Sequence, residues 1–135
     1  MLKENGSTSQ LYHLTVILTK RLTLPYRRPA ARLAEGIALA PHVSAMMDVS
    51  DGLLLDAARM AQASGVTLAL EGAAVPIAAP EARRDDALRW GDDYQLLFTS
   101  PRPLPHPRIG TVLPRADHPV LLGNAPPAGR LGYTH

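Results

Sequence analysis

Residues 43–70, VSAMMDVSDGLLLDAARMAQASGVTLAL, decide how the chain is read, because they pass from an apolar strand pattern through a tight turn into a helical period and back to a strand. Residues 43–49 suit a short buried strand, and Ser50, Asp51 and Gly52 make the turn. In residues 53–64, Leu54, Ala57, Ala58 and Ala61 share one helical face while Asp56, Arg59 and Gln62 populate another. Gly65 stops the helix, and residues 66–70 return as a strand. The unit is strand, turn, helix, strand, which places the chain among α/β proteins.

Working outward, residues 31–40 (ARLAEGIALA) carry Leu33, Ile37 and Ala40 at helical spacing, with Pro29 suited to the first turn and Pro41 to the end. Residues 14–18 (LTVIL) form a strand pattern, and residues 1–10 read as a polar lead or expression remnant. Beyond the central unit, residues 81–90 predict a short helix ending at Gly91, and residues 94–99 and 109–113 predict strands. In the segment that separates those two strands, Pro101, Pro103, Pro105 and Pro107 forbid ladder pairing. The tail from Pro114 is rich in Pro and Gly, with one apolar patch at residues 120–122. The expectation is one α/β (α+β) domain over residues 25–135, a mixed sheet flanked by helices, with residues 1–24 unassigned.

At 135 residues the chain is the size of one domain, and 46% hydrophobic against 19% charged residues is a globular composition. Aromatics are scarce, so Leu, Val, Ile and Ala must build the core. The absence of cysteine excludes disulfides, thiolate metal sites and a Cys nucleophile, and favours the cytoplasm. No apolar run approaches the ~18 residues of a membrane span, and the first ten residues lack a secretory pattern. The net charge of +2 hides a sorting of charges: residues 48–100 carry nine Asp/Glu against four Arg. The basic residues form no long run and are not interleaved with aromatics, which argues against nucleic acid as a partner.

Three constellations can carry chemistry. Asp48, Ser50 and Asp51 sit where a strand runs into a helix, a place where carboxylates, a hydroxyl and backbone N–H groups can hold Mg²⁺ beside a phosphate. From spacing alone, Ser50 or Asp51 reads more simply as a helix cap. Gly91-Asp92-Asp93-Tyr94 sets adjacent carboxylates before a strand, where they hold a cation or form a solvated turn. The terminal residues 132–135 (GYTH) put an aromatic ring beside a glycine, suited to stacking or to plugging an apolar surface. The five histidines lack the pairing of a metal site, and no GxSxG, Walker or GxGxxG motif occurs.

Taken in order, DVSDGL (residues 48–53), ASGV (63–66), VPI (75–77), GDDYQLLF (91–98) and GYTH (132–135) resemble the C-terminal domain of the thiamine-monophosphate kinase family, within the aminoimidazole-ribonucleotide-synthetase-like superfamily. The resemblance covers roughly residues 26–135 and implies an AIR synthase-related C-terminal fold. It also implies ATP- and Mg²⁺-dependent phosphoryl transfer to thiamine monophosphate, giving thiamine diphosphate. On that resemblance Asp48 and Asp51 are metal ligands, Ser50 contacts nucleotide phosphate, and Gln95 and Tyr133 contact the thiamine substrate. It further implies a homodimer and an N-terminal domain that this chain does not contain, without which the isolated chain is expected to be inactive.

Two residues depart from the family pattern: Gln95 stands where Glu is usual, and Trp90 where a second glycine is usual. Gln can accept a hydrogen bond but lacks the charge that attracts a thiazolium cation. A superfamily enzyme with another substrate, or a non-catalytic binding or assembly module of the same fold, are the competing readings. The GDDY and Gly-Tyr segments favour the thiamine branch.

Overall fold

The computed structural model describes residues 12–18, 36–77, 79–90 and 95–132. Six strands form one mixed sheet: β1 (Tyr12–Leu18), β2 (Ala45–Val49), β3 (Val66–Leu70), β4 (Gln95–Ser100), β5 (Arg108–Pro114) and β6 (Val120–Leu122), in the order β2-β4-β1-β5-β3-β6. Neighbours are antiparallel except β3 and β6, which run parallel. Helix α1 (Leu53–Ser64) joins β2 to β3, and the one-turn helix α2 (Arg84–Ala87) precedes β4.

The central unit folds as its pattern predicts, with α1 spanning the expected residues and Gly65 closing it in the left-handed conformation. Its two strands are nevertheless not neighbours, because β4, β1 and β5 stand between β2 and β3. Leu53, Leu54, Ala57 and Ala61 of α1 pack into one core with Leu68, Leu97, Ile109 and Val120, all nearly or fully buried. Three alanines on the buried helix face carry no long side chains and so permit close approach to the sheet. In β4, Leu97 enters that core, while its neighbours Leu96 and Phe98 project to the other face with Leu39. This alternation of successive side chains places apolar packing on both sheet faces.

Four features differ from the sequence reading. Strand β1 lies within the first 24 residues, which the expected boundary left unassigned, yet it is inserted between β4 and β5, pairing His13 with Ser100 and Tyr12 with Val112. Such pairing joins residues far apart in sequence and leaves no local signal. The apolar patch at residues 120–122 is β6, parallel to β3 through Leu68↔Val120 and Leu70↔Leu122. The helix expected over residues 81–90 divides into a 3₁₀ turn, Glu81–Arg83, and the short α2. The helix expected over residues 31–40 is present at residues 36–39, residues 31–35 lying outside the described residues, but Pro41 does not end the run: it continues the chain inside a 3₁₀ turn, Ala40–His42. Among the described residues no helix is long and apolar enough to cross a membrane.

Candidate active site

The site is built where β2 ends. Val49, 2% exposed, turns into the core beneath α1, while Asp48 before it and Ser50 after it are exposed. The chain then turns through Asp51 to Gly52, whose φ of 111° belongs to glycine, and a Cβ there would stand 2.6 Å from the Arg89 carbonyl oxygen. Close contact with residues 88–89 continues into the helix, where the Leu54 N–H donates to the Leu88 carbonyl at 3.1 Å. The helix start and the turn after α2 are therefore locked together.

Neither Ser50 nor Asp51 caps α1. Gly52 occupies the cap position without a side-chain hydrogen bond, and the side chain that reaches back over the preceding turn is Asp56. Its Oδ2 accepts the N–H of Ser50 at 2.7 Å and of Asp51 at 3.0 Å. The sequence placed Asp56 on the polar face, but it is 1% exposed. These two N–H groups lie just before the cap, and together with the positive end of the helix dipole they draw the first-turn carboxylate back over the turn. An acid in the first turn after a glycine is the signal that identifies such a residue, by analogy with the acidic arm of a capping box.

Arg59 completes the network. One of its nitrogens, Nη1, donates to Asp51 Oδ2 at 2.6 Å and to Asp56 Oδ1 at 2.9 Å. Hydrogen bonding to Asp51 and then to Asp56 raises the guanidinium pKa above its ordinary value, so the group stays cationic.

Two further segments converge on this turn. The backbone of Gln95 opens β4 directly opposite Val49, at the same sheet end. Gly132 lies against the turn so tightly that a Cβ would meet the Asp51 carbonyl oxygen at 2.1 Å and Leu55 Cβ at 2.8 Å. The approach is braced by Arg89, whose Nη1 donates to the Arg130 carbonyl at 2.5 Å and whose Nε pairs with Asp85 at 3.2 Å. Asp48, Ser50, Asp51, the start of β4 and the approach to the C-terminus thus meet at one end of the sheet. Tyr133 and the GDDY run at residues 91–94 lie outside the described residues.

Among the described residues no three His, Asp or Glu side chains gather as a closed metal cage. The exposed Asp48 and the half-buried Asp51, whose side chain is 15% exposed, suit a hard cation that completes its octahedron with phosphate and water oxygens, the usual arrangement for Mg²⁺. Residues Asp48 and Asp51 would hold it, with Arg59 already seated on one Asp51 oxygen.

Known proteins give this geometry a context. The chain is 40% identical over 81 residues to the thiamine-monophosphate kinase of Salmonella typhimurium, covering 55% of this chain and 25% of that enzyme. It is 39% identical over 101 residues to that of Mycobacterium tuberculosis, covering 66% and 28% respectively. The crystal structure of thiamine monophosphate kinase from Aquifex aeolicus superposes with a TM-score of 0.67 at 26% identity, over 84% of this chain and 50% of that one. The AaThiL complex with AMPPCP and TMP gives the same TM-score at 22% identity, a likeness of fold. The matched stretch spans about a quarter of the length of the curated relatives. The model of the AIR synthase related protein, C-terminal domain, matches residues 3–114, which takes in β1 as well as the central unit, and the chain belongs to that family.

Proposed function

We propose that this chain is the C-terminal part of a thiamine-monophosphate kinase, contributing the phosphate- and metal-facing turn for transfer of the ATP γ-phosphoryl group to thiamine monophosphate. The feature that supports this reading is the turn itself: Asp48, Ser50 and Asp51 fall within four residues at the end of β2, where Gln95 begins β4 opposite Val49 and Gly132 lies against the Asp51 carbonyl. Support comes also from relatives that are thiamine-monophosphate kinases and from a solved neighbour that holds AMPPCP and TMP.

Phosphoryl transfer between two anions is chiefly a matter of positioning and charge neutralisation. Magnesium, when bound, supplies the positive charge that screens the phosphates. In this proposal Asp48 and Asp51 hold it, and the exposed Ser50 hydroxyl donates to a nucleotide phosphate oxygen. Gln95 and Tyr133 face the thiamine portion, Gln95 by hydrogen bonding and Tyr133 by stacking on a heteroaromatic ring. Turnover requires the N-terminal domain, and the isolated chain is inactive.

Calorimetric titration with thiamine monophosphate, in the presence of Mg²⁺ and a non-hydrolysable ATP analogue, tests this. Saturable binding that is lost in Tyr133→Ala is the expected result. If the chain paired with an N-terminal kinase domain neither binds thiamine monophosphate nor transfers phosphate to it, the proposal fails. Gln95, in place of the usual Glu, favours one second reading, a binding module without turnover; binding without transfer in the paired protein would support it.

A further inference from the structure

Asp56 and Arg59 have no part in the motif-based assignment, yet both reach the turn that carries Asp51. We infer that they are positioning residues, Asp56 fixing the backbone of the turn and Arg59 fixing the direction of the Asp51 carboxylate. The inference rests on reading Asp51 as a ligand for a divalent cation.

Three donors compensate the buried Asp56 carboxylate. The N–H groups of Ser50 and Asp51 share Oδ2, and Arg59 Nη1 takes Oδ1. A carboxylate with 1% exposure needs such partners, because burying an ion without them is strongly unfavourable. Because the nitrogen that binds Asp56 also binds Asp51, the Asp51 carboxylate takes its position from a buried anchor on the next turn of chain. Arg59 itself is 44% exposed at its side chain and leans out of the protein, so the geometry originates in Asp56.

The three charges sum to one negative charge, which leaves the turn attractive to a cation while preventing repulsion between the two carboxylates. A rival role for Arg59 is that of a resident cation that blocks Asp51 Oδ2. The two roles predict opposite signs: removing a positioner weakens cation binding, whereas removing a blocker strengthens it.

The experiment uses this chain, isotope-labelled, with amide exchange at Ser50 and Asp51, the carboxylate carbon signal of Asp51, and Mn²⁺ as a paramagnetic probe. In Asp56→Ala, exchange of both amides should accelerate about tenfold on loss of a charged acceptor. The Mn²⁺ concentration that half-broadens the signals of residues 48–51 should rise about tenfold on loss of the supporting partner. Asp56→Asn keeps an oxygen for the two N–H groups but turns an NH₂ towards Arg59. It should therefore retain amide protection while shifting the Asp51 carboxylate signal and weakening Mn²⁺ binding. Arg59→Met should behave like Asp56→Asn, and Arg59→Lys should recover part of the loss, since one ammonium can meet both carboxylates.

Unchanged amide exchange in Asp56→Ala, or tighter Mn²⁺ binding in Arg59→Met, would overturn the inference. Should Asp56→Ala not fold, Asp56→Asn and Arg59→Met still decide it. If Mn²⁺ leaves residues 48–51 of the unmodified chain unbroadened while the variants shift the amide and carboxylate signals as stated, the positioning stands and the assignment of Asp51 as a ligand falls.

Discussion

Two arginine-centred clusters sit at the starts of α1 and α2, and they are built inside out with respect to each other. At α1 the acid is inside: Asp56 is 1% exposed and Arg59 leans outward at 44%. At α2 the cation is inside: Arg84 is 21% exposed while its partner Glu81 is 75% exposed. Arg84 donates Nη1 to the carbonyls of Gly72 and Val75, both at 2.7 Å, and so ties the loop after β3 to the helix start. The lesson is that the buried member of a pair determines what the pair organises. Asp56, an acceptor, gathers N–H groups and shapes a turn whose other atoms face solvent; Arg84, a donor, gathers carbonyls and closes a loop.

The largest effect should come from the inner acid. Asp56→Ala leaves two N–H groups without their acceptor and Arg59 with one carboxylate in place of two, and should lower unfolding free energy by about 3 kcal/mol in denaturant titrations. A variant as stable as the parent would erase the distinction between the clusters. Gly52→Ala comes next, at about 2 kcal/mol for a side chain forced into a positive φ, with added contact on Arg89. The same variant should weaken Mn²⁺ binding, because displacement of the Arg89 backbone reaches the turn.

Arg84→Ala should lower the melting temperature by a few degrees without changing Mn²⁺ binding, since its bonds lie on the loop after β3. Weakened metal binding in that variant would show that the clusters are coupled. The smallest effect belongs to the outer acid, as exposed ion pairs contribute little. Hydrogen bonding by Arg84 lowers the Glu81 pKa, so its contribution is present above the ordinary glutamate pKa and fades as pH falls through the lowered value. Glu81→Gln should therefore melt almost with the parent at neutral pH, and any difference should vanish in acid.

Much of this molecule is legible as local pattern. The 3.6-residue period of residues 53–64, bounded by two glycines, marks α1 correctly because helix formation depends on neighbours within one or two turns. The strand runs at β3, β4 and β5 are visible for the same reason, to within about two residues. The ordered motifs likewise identify the family before any coordinate is known. The turn at Asp48, Ser50 and Asp51 could be singled out from residue type alone, although its internal roles could not.

Asp56 shows why. In the helical pattern it falls beside Arg59 and Gln62, away from the alanine face; its place in the first turn after a glycine marks an acid able to reach back, but does not show that the chain before the helix folds over it. Its burial follows from Gly52 bending the backbone against Arg89 and presenting two N–H groups to the first turn. The place of β1 has the same cause: its pairing partners lie some eighty to a hundred residues away, so its central position depends on contacts that no local window contains. Sequence by itself determined α1, the main strand runs, the aliphatic core and the candidate turn, because those follow from residue type and spacing. Only the tertiary structure decided the order of the strands, the convergence of Gly132 on Asp51 and the choice of Asp56 as anchor, because each requires distant backbone to supply the donor, the acceptor or the space.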